Sequence, residues 1–238
     1  MKNLIFTLLL TNSIFAITMT PLYETMDSRK NIKTIFKIKN PTADPVAVEI
    51  SVLKLIDTNG KKEQREATNM VKAYPTQLVL DPKETKSIRV RYMGSGLPQN
   101  EEVYRVIAKE LDIDVSGKQE EKSTNKIKAH IKMRFSYEGL LFVHQPNSKV
   151  ELFVESIQLL GNILNINIKN SGTASTVPNA KNYNFIVKVK NKEYALTEND
   201  LKGTEFRRVL TGKTNTFQLK NITSVPVQQI ESMRIETK

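Results

Sequence analysis

Between residues 126 and 135 the chain alternates without a break. Ile127, Ala129, Ile131, Met133 and Phe135 share one parity, and Lys126, Lys128, His130, Lys132 and Arg134 share the other. A period of two sends these sets to opposite faces of a β-strand, one apolar and one almost wholly cationic. Alone, the pattern describes a half-buried strand of an ordinary sandwich. It also fits a strand that lends its apolar face to another protein.

The same period recurs along the chain. Ile32, Thr34, Phe36 and Ile38 alternate with lysines and Ile35, and Val46, Val48, Ile50 and Val52 with Ala47, Glu49 and Ser51. Ile88, Val90 and Tyr92 alternate with Arg89 and Arg91. A strand is expected over 103–110, and the strand after residue 126 continues to about 143. In the second half, Leu164, Ile166 and Ile168, then Tyr183, Phe185, Val187 and Val189, carry the pattern, with further strands after Thr211-Gly212-Lys213 and near Ile230–Ile235. The alternation at 17–23 is interrupted by Pro21, which cannot donate to a ladder and places this strand at a sheet edge. Loops are expected at Asn40–Pro45, Asp57–Gly60, Gly94–Pro98 and Asn170–Gly172. The charged span up to Lys72 and the span 112–125 show no usable period, and 144–148 reads as a linker. No strong helix is evident. Many short strands punctuated by turns argue for an all-β chain of two sandwiches.

The N-terminus changes the picture of where the chain works. A basic start, the apolar run 4–10 and a small residue at Ala16 form a secretory signal. Residues 1–16 are therefore expected to be removed. Of 238 residues, 222 remain, enough for two domains at 17–145 and 146–238. No later segment is apolar enough for membrane insertion.

There is no cysteine, so each domain must hold together by its core, and thiol chemistry is excluded. With His130 and His144 as the only histidines, a histidine-rich metal site is excluded too, and no cofactor is expected. The formal charge is +11, but it is scattered rather than gathered into a nucleic-acid module. The excess marks an anionic partner surface or a carboxylate ligand. The chain has no Gly-x-Ser-x-Gly elbow, His-Glu-x-x-His or glycine-rich phosphate loop, so no enzyme is expected.

The runs Tyr74-Pro75-Thr76-Gln77-Leu78-Val79-Leu80-Asp81-Pro82-Lys83-Glu84-Thr85-Lys86-Ser87-Ile88-Arg89-Val90 and Leu97-Pro98-Gln99-Asn100-Glu101-Glu102-Val103-Tyr104-Arg105-Val106 resemble the PapD-like periplasmic pilus chaperones. The second run looks closest to the alternative branch that serves colonisation-factor fimbriae. The resemblance covers the first domain well and the second through pattern and length.

It implies two immunoglobulin-like sandwiches in a boomerang arrangement. Such a protein works in the periplasm, donates a strand to pilus subunits that lack their last strand, and passes them to an outer-membrane usher. Whether it self-associates when unloaded stays open. Ile127, Ala129, Ile131 and Met133 match the groove-filling donor strand. Each well-buried aliphatic side chain there is worth about 1.5–3 kcal/mol before ordering costs. Lys132, in Ile131-Lys132-Met133, matches the family's lysine anchor for the subunit's terminal carboxylate. Arg134 shares its face and could bind a carboxylate bidentately.

Two departures stand out. The family's second anchor, an arginine, falls at Tyr23, leaving Arg29 or Arg134 to supply the charge. The upstream groove-filling positions fall at polar Ser123 and Asn125, so the donor segment is expected to be shorter or shifted. Arg89 and Glu102 match positions that support the domain. Tyr74-Pro75 matches a family turn with a cis bond, an isomer that sequence alone does not fix. The competing reading is a structural pilus subunit or adhesin, which calls for one incomplete sandwich with an N-terminal donor extension.

Overall fold

The computed structural model describes residues 17–27, 32–60, 62–113, 115 and 134–238. Proline decides how the fold begins. β1 (Thr18–Thr20) and β2 (Tyr23–Met26) flank Pro21 and join different sheets, each as an edge strand. The alternation at 17–23 is therefore two strands that cross between layers. The Thr20–Pro21 bond is cis, as is Tyr74–Pro75, the bond that matches the family turn.

The first sandwich has two layers. One is the antiparallel sheet β1-β3-β8-β6, with β3 at Lys33–Lys39, β6 at Val71–Tyr74 and β8 at Thr85–Tyr92. The other runs β2-β10-β9-β4-β5, with β4 at Val46–Asp57, β5 at Gln64–Ala67, β9 at Glu102–Glu110 and β10 at Ser136–Val143. β7 (Gln77–Leu80) also pairs with β4.

Alternation puts Phe36, Ile38, Ile88 and Val90 into the core from the first layer, against Val48, Ile50, Tyr104, Val106, Leu141 and Val143 from the second. β5 and β6 arise within the span that shows no period. Four residues offer too few positions for a pattern, and both strands are held by pairing, to β4 and β8 respectively.

The second sandwich packs the sheet of β11 (Leu152–Leu160), β12 (Ile163–Asn170) and β15 (Thr214–Leu219) on that of β13 (Tyr183–Val189), β14 (Lys192–Ala195) and β16 (Ile230–Thr237). Leu164, Ile166 and Ile168 meet Phe185, Val187, Phe217 and Leu219 in its core. Phe206 adds an aromatic step between Phe185 and Phe217, with ring centroids 5.3 and 5.2 Å away.

A one-turn helix, α1 (Glu198–Leu201), is fixed by a capping box between Thr197 and Asp200. The buried Asp200 carboxylate also accepts the backbone N–H groups of Thr223 at 2.7 Å and Ser224 at 3.0 Å. Burial alone would raise its pKa. Hydrogen bonds from Ser224, Thr197 and Thr223 outweigh that and hold it well below the usual carboxylate range. Among the described residues no helix is long and apolar enough to cross a membrane.

Candidate functional site

The alternating segment itself, with Ile127, Ala129, Ile131, Met133 and Lys132, lies outside the described residues, as do Arg29, Ser123, Asn125, residues 1–16 and most of 112–125. The strand that continues it is described. β10 runs antiparallel to β9 along its whole length, from Ser136 opposite Lys109 to Val143 opposite Glu102. Its other edge is only half covered. β2 lies parallel to it from Leu140 to Val143, and the Leu140 N–H donates to the Leu22 carbonyl at 2.8 Å. From Ser136 to Gly139, among the described residues, no strand pairs with that edge. An uncovered edge presents backbone donors and acceptors to an incoming strand. Here it adjoins the segment whose side chains alternate most cleanly.

Tyr23 is 72% exposed and stands in register with Leu140, which in turn faces Arg105 on β9. Arg134 lies six residues upstream of Leu140, about 20 Å of extended chain, and on the same parity. Tyr23, at the position of the second anchor, and Arg134, the candidate to supply its charge, are thus set well apart along the strand. Arg134 already holds the Asp112 carboxylate at 2.8 Å, in a pair that is half exposed on both sides.

Glu102 and Arg89 separate. Glu102 accepts from Lys54 Nζ at 2.6 Å and from the Tyr104 hydroxyl at 2.5 Å. Burial and then Glu102 push the Tyr104 hydroxyl far above its ordinary pKa, and burial and Glu102 raise Tyr92 as well. Glu102 thus ties β9 to β4 and contacts the buried tyrosines Tyr104 and Tyr92. Alternation with buried Ile88 and Val90 turns Arg89 outward, where it meets no carboxylate among the described residues.

Sequence reading misses the most organised charges. Arg65 and Arg105 each grip both Glu63 and Glu138. Arg65 reaches Glu63 and Glu138 at 2.7 Å each, and Arg105 Nε lies 2.9 Å from Glu63 and 3.8 Å from Glu138. Burial alone would raise the Glu63 carboxyl, but Arg105 and Arg65 bring it below the ordinary value.

Beside this ring the two sandwiches meet. Leu55, Val103 and Leu210 form a buried cluster with Leu140 and Phe142. Arg208 donates to the Ser175 carbonyl at 3.0 Å, and the Ser175 N–H and hydroxyl both donate to Glu101. Arg207 Nε donates to the Thr58 carbonyl at 2.9 Å, while the Thr58 hydroxyl donates to the Arg208 carbonyl. Burial lowers the Arg208 guanidinium pKa; Glu101 opposes the shift and Arg105 adds to it. Arg105, Arg207 and Arg208 therefore line one cavity together with Glu63, Thr58 and Leu140. The visible signal was the Arg207-Arg208 pair between apolar Phe206 and Val209, an unusual place for two cations.

The model of the family described as pili and flagellar-assembly chaperone, PapD N-terminal domain, matches residues 22–144. No curated protein sequence matches the chain. Solved structures share its fold at low identity. A chain of the CsuC–CsuE chaperone–tip adhesion subunit complex of Acinetobacter baumannii superposes with a TM-score of 0.58 at 16% identity, covering 89% of this chain and 90% of that one. A chain of the Salmonella enterica SafA pilin complex with the SafB chaperone gives 0.55 at 14%, covering 87% and 85%. The class 5 fimbriae chaperone CfaA gives 0.54 at 14%, covering 93% and 98%.

Proposed function

The chain belongs to the family of pili and flagellar-assembly chaperones that carry a PapD N-terminal domain, and from that membership we propose that it is a non-enzymatic periplasmic chaperone that completes pilus subunits by donating a strand. In this reading residues 1–16 direct export, 17–145 form the donor domain and 146–238 the second domain. Ile127, Ala129, Ile131 and Met133 fill the groove of a subunit with an incomplete immunoglobulin-like fold. Lys132 receives the subunit's terminal carboxylate, with Arg134 or Tyr23 as secondary contacts. The loaded subunit then passes to an outer-membrane usher.

One observation carries this reading: among the described residues, no strand pairs with the edge of β10 from Ser136 to Gly139, directly after the alternating segment. A subunit lacking a strand has the complementary defect, with open edges and an uncovered apolar core. Backbone pairing satisfies the edges while alternate side chains fill the core. The test is co-purification of a pilus subunit with the wild-type protein and with the Ile127→Glu/Ile131→Glu variant. Loss of the subunit while the second sandwich stays folded supports the assignment; undiminished recovery sinks it.

A further inference from the structure

The outer face of the β1-β3-β8-β6 sheet is separate from the β10 edge, and its chemistry is one-sided. None of its four strands contains an acidic residue. Lys33, Lys37, Lys39, Lys72, Arg89 and Arg91 are all exposed. Register sets Lys33 opposite Arg91 and Arg91 opposite Lys72, a row of three cations across neighbouring strands. Like charges directly opposite one another destabilise a sheet. Among the described residues no carboxylate relieves them, and the side-chain partner found there is that of Lys72, the Asn69 side-chain oxygen at 3.0 Å. The other sheet is built differently, with Arg65 and Arg105 neutralised by Glu63 and Glu138.

Apolar side chains rise between these cations. Ile35 and Tyr74 flank Arg89 in the next row, 51% and 74% exposed. Met93 and Met70, joined by a 2.7 Å backbone hydrogen bond at the end of the same face, are 51% and 40% exposed. Protein interfaces are depleted of lysine and gather their apolar residues into a charge-free centre. This face does the reverse, spreading separate apolar tips through a field of long cationic side chains. That is the makeup of a surface that settles on anionic lipid, with cations at the phosphates and Ile, Met and Tyr dipping into the headgroup boundary.

We propose that this face docks on anionic phospholipid bilayers, as a peripheral contact that leaves the β10 edge free. The probes are vesicles of phosphatidylcholine alone and of phosphatidylcholine with phosphatidylglycerol, in a sedimentation assay at low and high salt. The purified wild-type protein should bind the phosphatidylglycerol vesicles and release them as salt screens the charges. Lys33→Gln/Lys72→Gln/Arg91→Gln should weaken binding by about a hundredfold, at about fivefold per charge. Ile35→Ser/Tyr74→Ser should also weaken it.

Lys181→Gln/Lys202→Gln/Lys220→Gln removes the same charge from the second sandwich and should have little effect. All variants are prepared with the same N-terminus, so their differences report on the face alone. The cationic variant should melt no lower than wild type, because it relieves a like-charge row. Failure of the wild type to bind at low salt overturns the proposal, as does equal weakening by both triple variants. Retention on polyglutamate without vesicle binding would assign the face to an acidic polypeptide and equally overturn it.

Discussion

The Arg208 guanidinium lies 4.6 Å from the centre of the Phe142 ring. One residue belongs to the second sandwich and the other to β10, the strand that continues the alternating segment. Arg208 also donates to the Ser175 carbonyl and hydroxyl at 3.0 and 3.1 Å. This half-buried cation thus meets the first sandwich through an aromatic face, while its two hydrogen bonds hold Ser175, the residue of the second sandwich that donates to Glu101.

Arg208→Ala should therefore cost about 2–3 kcal/mol, the sum expected for a desolvated cation–π contact and lost hydrogen bonds. Arg208→Lys should recover only part of it, because a point charge cannot stack and fork at once. Chemical denaturation checks this: the transition should broaden or split as the sandwiches uncouple, and an unchanged curve would contradict it.

Glu63 joins Arg65 and Arg105, so Glu63→Gln leaves two arginines undercompensated beside the cavity. The expected loss is about 1–3 kcal/mol. Its pKa is lower folded than unfolded. That contribution is complete above the ordinary glutamate value of about 4.3 and fades as pH falls through the folded value. The stability difference between wild type and Glu63→Gln, measured by urea melts across this range, should shrink as the solution is acidified.

Asp200 gathers hydrogen bonds from Thr197, Thr223 and Ser224 around a one-turn helix. Asp200→Asn keeps the size but loses the charge that strengthens those bonds, and should cost about 1–3 kcal/mol. Because the folded pKa is depressed far below the unfolded value of about 3.9, the stabilisation is complete above that pH and disappears only in strong acid. Melting temperature against pH should show the variant approaching wild type at the acidic extreme.

For the proposed carboxylate anchor, Lys132→Ala should reduce capture of a pilus subunit about ten- to a hundredfold, the value of one charge-assisted hydrogen bond. Lys128→Ala should do much less. Amidating the subunit's C-terminus should weaken binding to wild type and leave binding to Lys132→Ala unchanged. If amidation weakens wild-type binding but Lys132→Ala binds normally, the anchor is another residue. Arg134→Ala, and Arg208→Ala in the cavity between the sandwiches, identify which.

Much of the fold is legible because most strands bury one face. Phe36 and Ile38, Ile88 and Val90, and Phe185 and Val187 alternate as their burial does. β5 and β6 escape because pairing rather than alternation holds them. The Glu101–Ser175–Arg208 contact escapes for another reason. Glu101 and Ser175 are 74 positions apart, and only the docking of two sandwiches makes them neighbours. The row of Lys33, Arg91 and Lys72 shows the same limit: each strand displays its own charge, but the coincidence is a property of register.

The switch of layers at Pro21 has a consequence for β10. Because β2 begins only at Tyr23, the carbonyl of Leu22 claims the Leu140 N–H and closes the lower part of that edge. A strand added from the Ser136 side runs out of free backbone there. In the proposed strand-donating reading, Leu22 and β2 thus form an end-stop, whose position limits how far an incoming segment can slide. Lengthening β2 toward Gly139 would shorten the docking track, and deleting residues 17–26 would leave it without a terminus.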